Sequence, residues 1–92
     1  MKEGFKVWRT GVLEQFPSTR EQGKMVKKQI LVLQDLAGSY GNSYAVTCLG
    51  DTVIDGIKPN DLVVAELRFS IREHDGRIYQ DIYVQGLTKL TK

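Results

Sequence analysis

Three blocks in the second half of the chain limit its possible folds more than anything else. They are Tyr44-Ala-Val-Thr-Cys-Leu-Gly-Asp51, Ile57-Lys-Pro-Asn-Asp-Leu-Val-Val64 and Arg72-Glu-His-Asp-Gly-Arg-Ile-Tyr79. In order they read as a strand, a minimal connector, a strand, a tight Asp-Gly turn and a final strand. The connector, residues 51–58, has too few positions for a stable isolated helix, and one helical turn capped by Asp51 is the most it can hold. Long apolar-rich stretches upstream supply two more strands. The expectation is an all-β chain: a small, closed, five-stranded barrel with at most one short helical turn.

The strands are placed at about 5–16, 26–36, 43–49, 62–72 and 78–87. The first holds Val7, Trp8, Val12, Leu13 and Phe16, β-favouring residues at spacings that suit a helix poorly. Gly11 within it predicts a bulge or sharp bend, so that one strand can serve both halves of a small barrel. Pro17 removes a backbone donor and ends that ladder. Residues 17–25 are a polar loop. The second strand is centred on the unbroken apolar run Ile30-Leu-Val-Leu33. Gly38, Gly41 and Asn42 mark the turn that follows. Lys58-Pro-Asn-Asp61 has proline at the favoured second position of a β-turn. In the fourth strand Val63, Ala65, Leu67, Phe69 and Ile71 alternate with Leu62, Val64, Glu66, Arg68 and Ser70, the cleanest period of two in the chain.

With 92 residues the chain makes a single domain, 1–92, with one compact core. Its 41% hydrophobic and 26% charged fractions are those of an ordinary globule and exclude a disordered chain. Net charge is +2, but it is uneven. Residues 1–36 carry Lys2, Lys6, Arg9, Arg20, Lys24, Lys27 and Lys28 against Glu3, Glu14, Glu21 and Asp35, for a net +3. The remainder nets −1. A one-sided polyanion site needs such an asymmetry.

Cys48 is the sole cysteine, so an internal disulfide is excluded and a reducing compartment fits. Flanked by Thr47 and Leu49, it reads as a core residue rather than a nucleophile. No apolar run approaches the ~18–20 residues needed to span a bilayer, and residues 1–5 show no signal-peptide apolar region. The expected location is the cytoplasm, without membrane contact. The single histidine, His74, lies between Glu73 and Asp75 in a turn, where consecutive residues rarely converge on one ion. Neither a metal site, a cofactor site nor a catalytic set can be assembled, and the expectation is a non-enzyme.

Thr10-Gly11-Val-Leu13, Lys27-Lys28-Gln29-Ile-Leu-Val-Leu33, Tyr44–Asp51, Lys58-Pro-Asn-Asp61-Leu-Val, Arg72-Glu73, Gly76-Arg77 and Tyr79-Gln-Asp81 follow one another over most of residues 8–87. In that order and spacing the chain resembles OB-fold proteins of the bacterial single-stranded DNA-binding superfamily, and most of all short bacterial OB domains built on the same plan. The resemblance implies a bacterial or phage source and an aromatic stacking on a base at Tyr44. It also implies phosphate contacts from Lys27 and Lys28, and a stacking position at His74, where an aromatic often stands in those proteins. The chain departs from them in carrying its only tryptophan, Trp8, at the start of the first strand, and in a shorter connector after the third.

Binding an unwound strand takes a cationic groove for phosphates and flat side chains for bases. Arg20, Lys24, Lys27, Lys28, Arg72 and Arg77 are the candidate cations. Tyr40, Tyr44 and Tyr79, with His74, are the candidate stacking residues, and Tyr83 and Trp8 are further aromatics. Lys27 and Lys28 are adjacent, so they face opposite sides of a strand and one at most lines a groove. The expected function is single-stranded DNA binding (RNA in second place) with little sequence preference, by a dimer or tetramer. The alternative is an oligomerisation or protein-interaction barrel using Trp8, Tyr79 and Tyr83 as a subunit contact without nucleic acid.

Overall fold

The computed structural model describes residues 1–36 and 41–90. Gly38 and Tyr40 lie outside the described residues. The chain is all-β, with strands β1 (Lys2–Thr10), β2 (Glu14–Pro17), β3 (Met25–Asp35), β4 (Ser43–Leu49), β5 (Leu62–His74) and β6 (Arg77–Lys89). A 3-10 turn, Gly50–Thr52, follows β4. Sheet order is β1-β5-β6-β4-β3-β2, and β1 also pairs with β3, so five strands close into a ring with β2 attached outside it. All pairings are antiparallel except β4 with β6, which run parallel through Thr47 and Tyr83.

The long first strand expected from sequence is two strands. Residues 11–13 interrupt it, and the bulge lies at Trp8 rather than Gly11: Val7 faces Leu33, Arg9 faces Val32, and Trp8 has no opposite number. Gly11 has a different task. Its N–H donates to the Ile30 carbonyl at 2.6 Å, and a Cβ there would stand 2.8 Å from that oxygen. Glycine is needed for close approach, where β1 hands the chain over to β2. Pro17, opposite Met25, is the last residue of the β2–β3 ladder, as a missing donor requires.

The turns obey their residues. Asp75 and Gly76 both take positive φ, 51° and 75°, which a two-residue hairpin matching strand twist demands. Asn60 has φ 76° after Pro59, and the Asp61 N–H donates to the Lys58 carbonyl at 3.2 Å. The 3-10 turn is not capped by Asp51. Thr52 does this work: its hydroxyl donates to the Leu49 carbonyl and its Oγ1 accepts from the Leu49 N–H, both at 2.9 Å.

Phe5, Val7, Leu31, Leu33, Val46, Cys48, Val63, Ala65, Leu67 and Val84 fill the ring. Burial raises the Cys48 thiol from 9.0 to about 11, with a hydrogen bond to Thr52 opposing the rise. Asp61, 4% exposed, is the buried charged residue among those described. Its Oδ2 accepts from the Lys58 N–H at 3.0 Å and pairs with Lys89 Nζ at 3.4 Å. The backbone of this turn also docks on β1, with Val7 N–H donating to the Asp61 carbonyl and Asn60 N–H to the Val7 carbonyl.

Beyond the ring the β5–β6 hairpin continues alone. β1 reaches along β5 only from Leu62 to Glu66, and β4 meets β6 at Tyr83. Residues 68–82 therefore form a projecting two-stranded arm. The alternation of β5 continues into it, but Phe69 and Ile71, in line with Leu67 and paired with Ile82 and Gln80, lie beyond the core and are exposed.

Candidate functional site

Directly paired residues stand on the same face of a sheet. Ile30 faces Thr47, Thr47 faces Tyr83, and Tyr83 faces Arg68, so one row crosses β3, β4, β6 and β5. The neighbours of these residues in sequence, among them Leu31, Val46, Cys48, Leu67 and Val84, are core residues. The row is thus on the outside of the ring. On β3 the same face carries Lys28, which pairs with Leu49 on one side and Glu14 on the other. Along the arm it carries three further pairs: Ser70 with Asp81, Arg72 with Tyr79 and His74 with Arg77.

Arginine and tyrosine alternate across this arm in a ladder. The Arg68 guanidinium lies 5.2 Å from the centre of the Tyr83 ring, and Arg72 lies 5.2 Å from that of Tyr79. Such contacts are worth about 0.5–1 kcal/mol at exposed sites. Asp81, between the two tyrosines, binds Arg72: Nε to Oδ2 at 2.5 Å and Nη2 to Oδ1 at 3.4 Å. The hydrogen bond to Asp81 and its charge raise the Arg72 pKa above the usual guanidinium value, which keeps this group cationic. Where arm and ring meet, Lys28, Thr47, Leu49, Arg72, Asp81 and Tyr83 line a shallow depression of about 330 Å³.

Of the residues singled out from sequence, Lys28, Arg72 and Tyr79 come together on this face, with His74 and Arg77 towards the arm's tip. The others are placed elsewhere. Lys27 points to the opposite side of β3 and lines a separate depression with Met25, Gly50, Asp51 and Val53. Arg20 and Lys24 lie in the loop between β2 and β3, where Lys24 is ion-paired with Glu21 at 2.9 Å. Tyr44 is half-buried on the core side, its ring edge-on to Phe5 with centroids 5.9 Å apart. That contact gives it a packing role. His74 Nε2 is 3.2 Å from Asp75 Oδ2 at the exposed turn. Trp8 stands on β1, under the Arg9 guanidinium at 5.0 Å.

Sequence reasoning missed Arg68, Thr47, Leu49 and Asp81 as site residues. A signal for Arg68 was present: it occupies the polar phase of the β5 alternation, four residues from Arg72 and therefore on the same side. For Thr47 and Leu49 there was none, since only the β4–β6 pairing brings them beside the arm.

No group of three or more potential metal ligands occurs among the described residues. No helix among them is long and apolar enough to cross a membrane. Comparison with protein-family models, curated proteins and solved structures finds no match to this chain.

Proposed function

We propose that the protein is a non-enzymatic OB-fold barrel that binds single-stranded DNA on the outer face of β3, β4 and the β5–β6 arm. The ring order β1-β3-β4-β6-β5, with β4 and β6 parallel, is consistent with the five-stranded Greek-key barrel. In that architecture the face of the second and third strands and the hairpin between the fourth and fifth are where oligonucleotides lie. The single observation that carries the reading is the Arg68–Tyr83 and Arg72–Tyr79 ladder running into the depression beside Lys28. Unpaired bases stack on aromatic rings and on guanidinium planes alike, and the same arginines reach phosphates.

The test is fluorescence anisotropy with labelled oligo-dT at about 50 and about 200 mM salt. If Lys28, Arg68, Arg72 and Arg77 each neutralise a phosphate, log K falls against log salt with a slope of about −3, from roughly −0.7 per contact on single strands. Tyr83→Ala weakens binding by about 1–2 kcal/mol. Absence of binding at the lower salt rejects the reading, and tighter binding of oligo-U moves the partner to RNA.

One observation favours the interaction-module alternative. The other side of the arm presents Ile71 and Ile78, 71% and 73% exposed, with Phe69 beside them. A second copy packed there would also place two strand-binding faces side by side, and so raise effective concentration. Sedimentation at two protein concentrations, with and without oligo-dT, separates a module that only self-associates from one that binds DNA.

A further inference from the structure

Resting on that reading, we infer that the depression where the arm meets the ring seats one base and favours cytosine over thymine through Asp81. Its volume, about 330 Å³, is at the small end of ligand pockets and on the scale of a single nucleotide. The Tyr83 ring, Leu49 and Thr47 line it as surfaces for a flat heterocycle, and Lys28 stands in the lining as the phosphate partner. What remains is a carboxylate and a guanidinium held side by side.

Their hydrogen-bonding capacity is only partly used. Asp81, with its side chain 23% exposed, receives one close bond at Oδ2 and one long bond at Oδ1, and an ionised carboxylate has about four acceptor positions. Arg72 has five N–H donors, of which these two bonds use two. The pair therefore offers a free acceptor next to free donors. A base edge that complements it carries an amino group next to an unprotonated ring nitrogen. Cytosine has that edge: its N4 amino donates to Asp81 Oδ1 while N3 and O2 accept from Arg72. Thymine and uracil put a carbonyl oxygen at the amino position, directly against the carboxylate, and a ring N–H against the guanidinium. Carboxylate acceptance from cytosine N4 is an established base contact, and mismatched edges leave polar groups unpaired. The result is a bias superimposed on general strand binding, because only one base of the footprint occupies this position.

The decisive measurement is the affinity of the intact protein for short oligo-dC, oligo-dT and oligo-dU of equal length at pH 7.5 and fixed salt. Oligo-dU separates the pairing edge from the thymine methyl group. Oligo-dC is expected to bind about fivefold tighter than both others, and Asp81→Asn is expected to shrink that ratio to within about twofold while the circular-dichroism melting curve shows a folded protein. Equal affinity for oligo-dC and oligo-dU overturns the inference and leaves the strand-binding face standing. A ratio that survives Asp81→Asn overturns the role of Asp81. Failure to bind any of the three defeats the underlying reading instead, and this inference with it. The wild-type comparison needs no variant, so it decides even if Asp81→Asn does not fold.

Discussion

The ring and the arm are made of the same two strands. β5 and β6 both run from one into the other; β5 keeps its alternation throughout, while β6 carries a bulge at Gln85, where Glu66 pairs with Gly86 and Leu67 with Val84. Yet Val63, Ala65 and Leu67 are buried while Phe69 and Ile71, next in the same series, are exposed. What changes is the neighbourhood. In the ring each strand has partners on both edges and a filled interior. In the arm Ile82 still packs against the core and Asp81 is half-buried, but residues 71–80 are exposed. The ring thus supplies most of the folding free energy, and the arm leaves most of its surface exposed. A two-stranded hairpin alone is marginal in water, so the arm depends on the ring and not the reverse.

Experiments can break that division of labour or sharpen it. The largest effect is expected in the ring, at Asp61→Ala. Removing this buried carboxylate strips a partner from the Lys58 N–H and from Lys89, and loosens the turn that docks on β1. Urea unfolding should show a loss of about 3 kcal/mol. A loss below about 0.5 kcal/mol would mean that the turn is not part of the ring's stability.

Cys48 gives the next effect, and it depends on pH. Its folded pKa of about 11 lies above the unfolded value of 9.0, so the native state holds the proton more tightly. This contribution is fully present below pH 9 and is lost as pH rises towards 11, to a limit of about 2–3 kcal/mol. Cys48→Val should flatten the decline in stability across that window relative to wild type. Identical slopes for the two proteins would show that ionisation of the thiol is not what weakens the fold in alkali.

The smallest effect belongs to the arm. Ile71→Thr combined with Ile78→Thr should change monomer stability by no more than about 0.5 kcal/mol, since these side chains bury little. A larger loss, or one that grows with protein concentration, would show that the underside of the arm is covered in solution.

The same contrast explains what the sequence could tell. The strand from 43 to 49, the Asp75-Gly76 turn and the Pro59-Asn60 turn depend on local rules, and all were legible. So was the face of β5 that turns inward. How far along that face the core extends was not legible, because nothing in the alternation of Leu67, Phe69 and Ile71 marks where the core ends. Gly11 was recognised as special, as a bulge or a sharp bend: the bulge lies at Trp8, and Gly11 stands at the break between β1 and β2, where only the position of the Ile30 carbonyl shows why glycine is needed. Asp61 has a local partner in the Lys58 N–H, but its burial was not legible, since Lys89 comes from the far end of the chain. At the site, the opposite orientations of Lys27 and Lys28 followed from strand geometry. The gathering of Lys28, Thr47 and Asp81 did not, because it depends on which non-consecutive strands become neighbours.

The seam between β4 and β6 carries a last consequence. Every other junction of the ring is a ladder of several residues, whereas these strands share the one registered pair Thr47 and Tyr83. Breathing of the ring should begin at that slit, and amides flanking it should exchange with solvent before those of the β3–β4 or β1–β5 ladders. A nucleotide lying across Thr47 and Tyr83 would bridge the slit from outside. Occupancy would then act as a clasp, with protection rising at the seam itself and not only beneath the ligand.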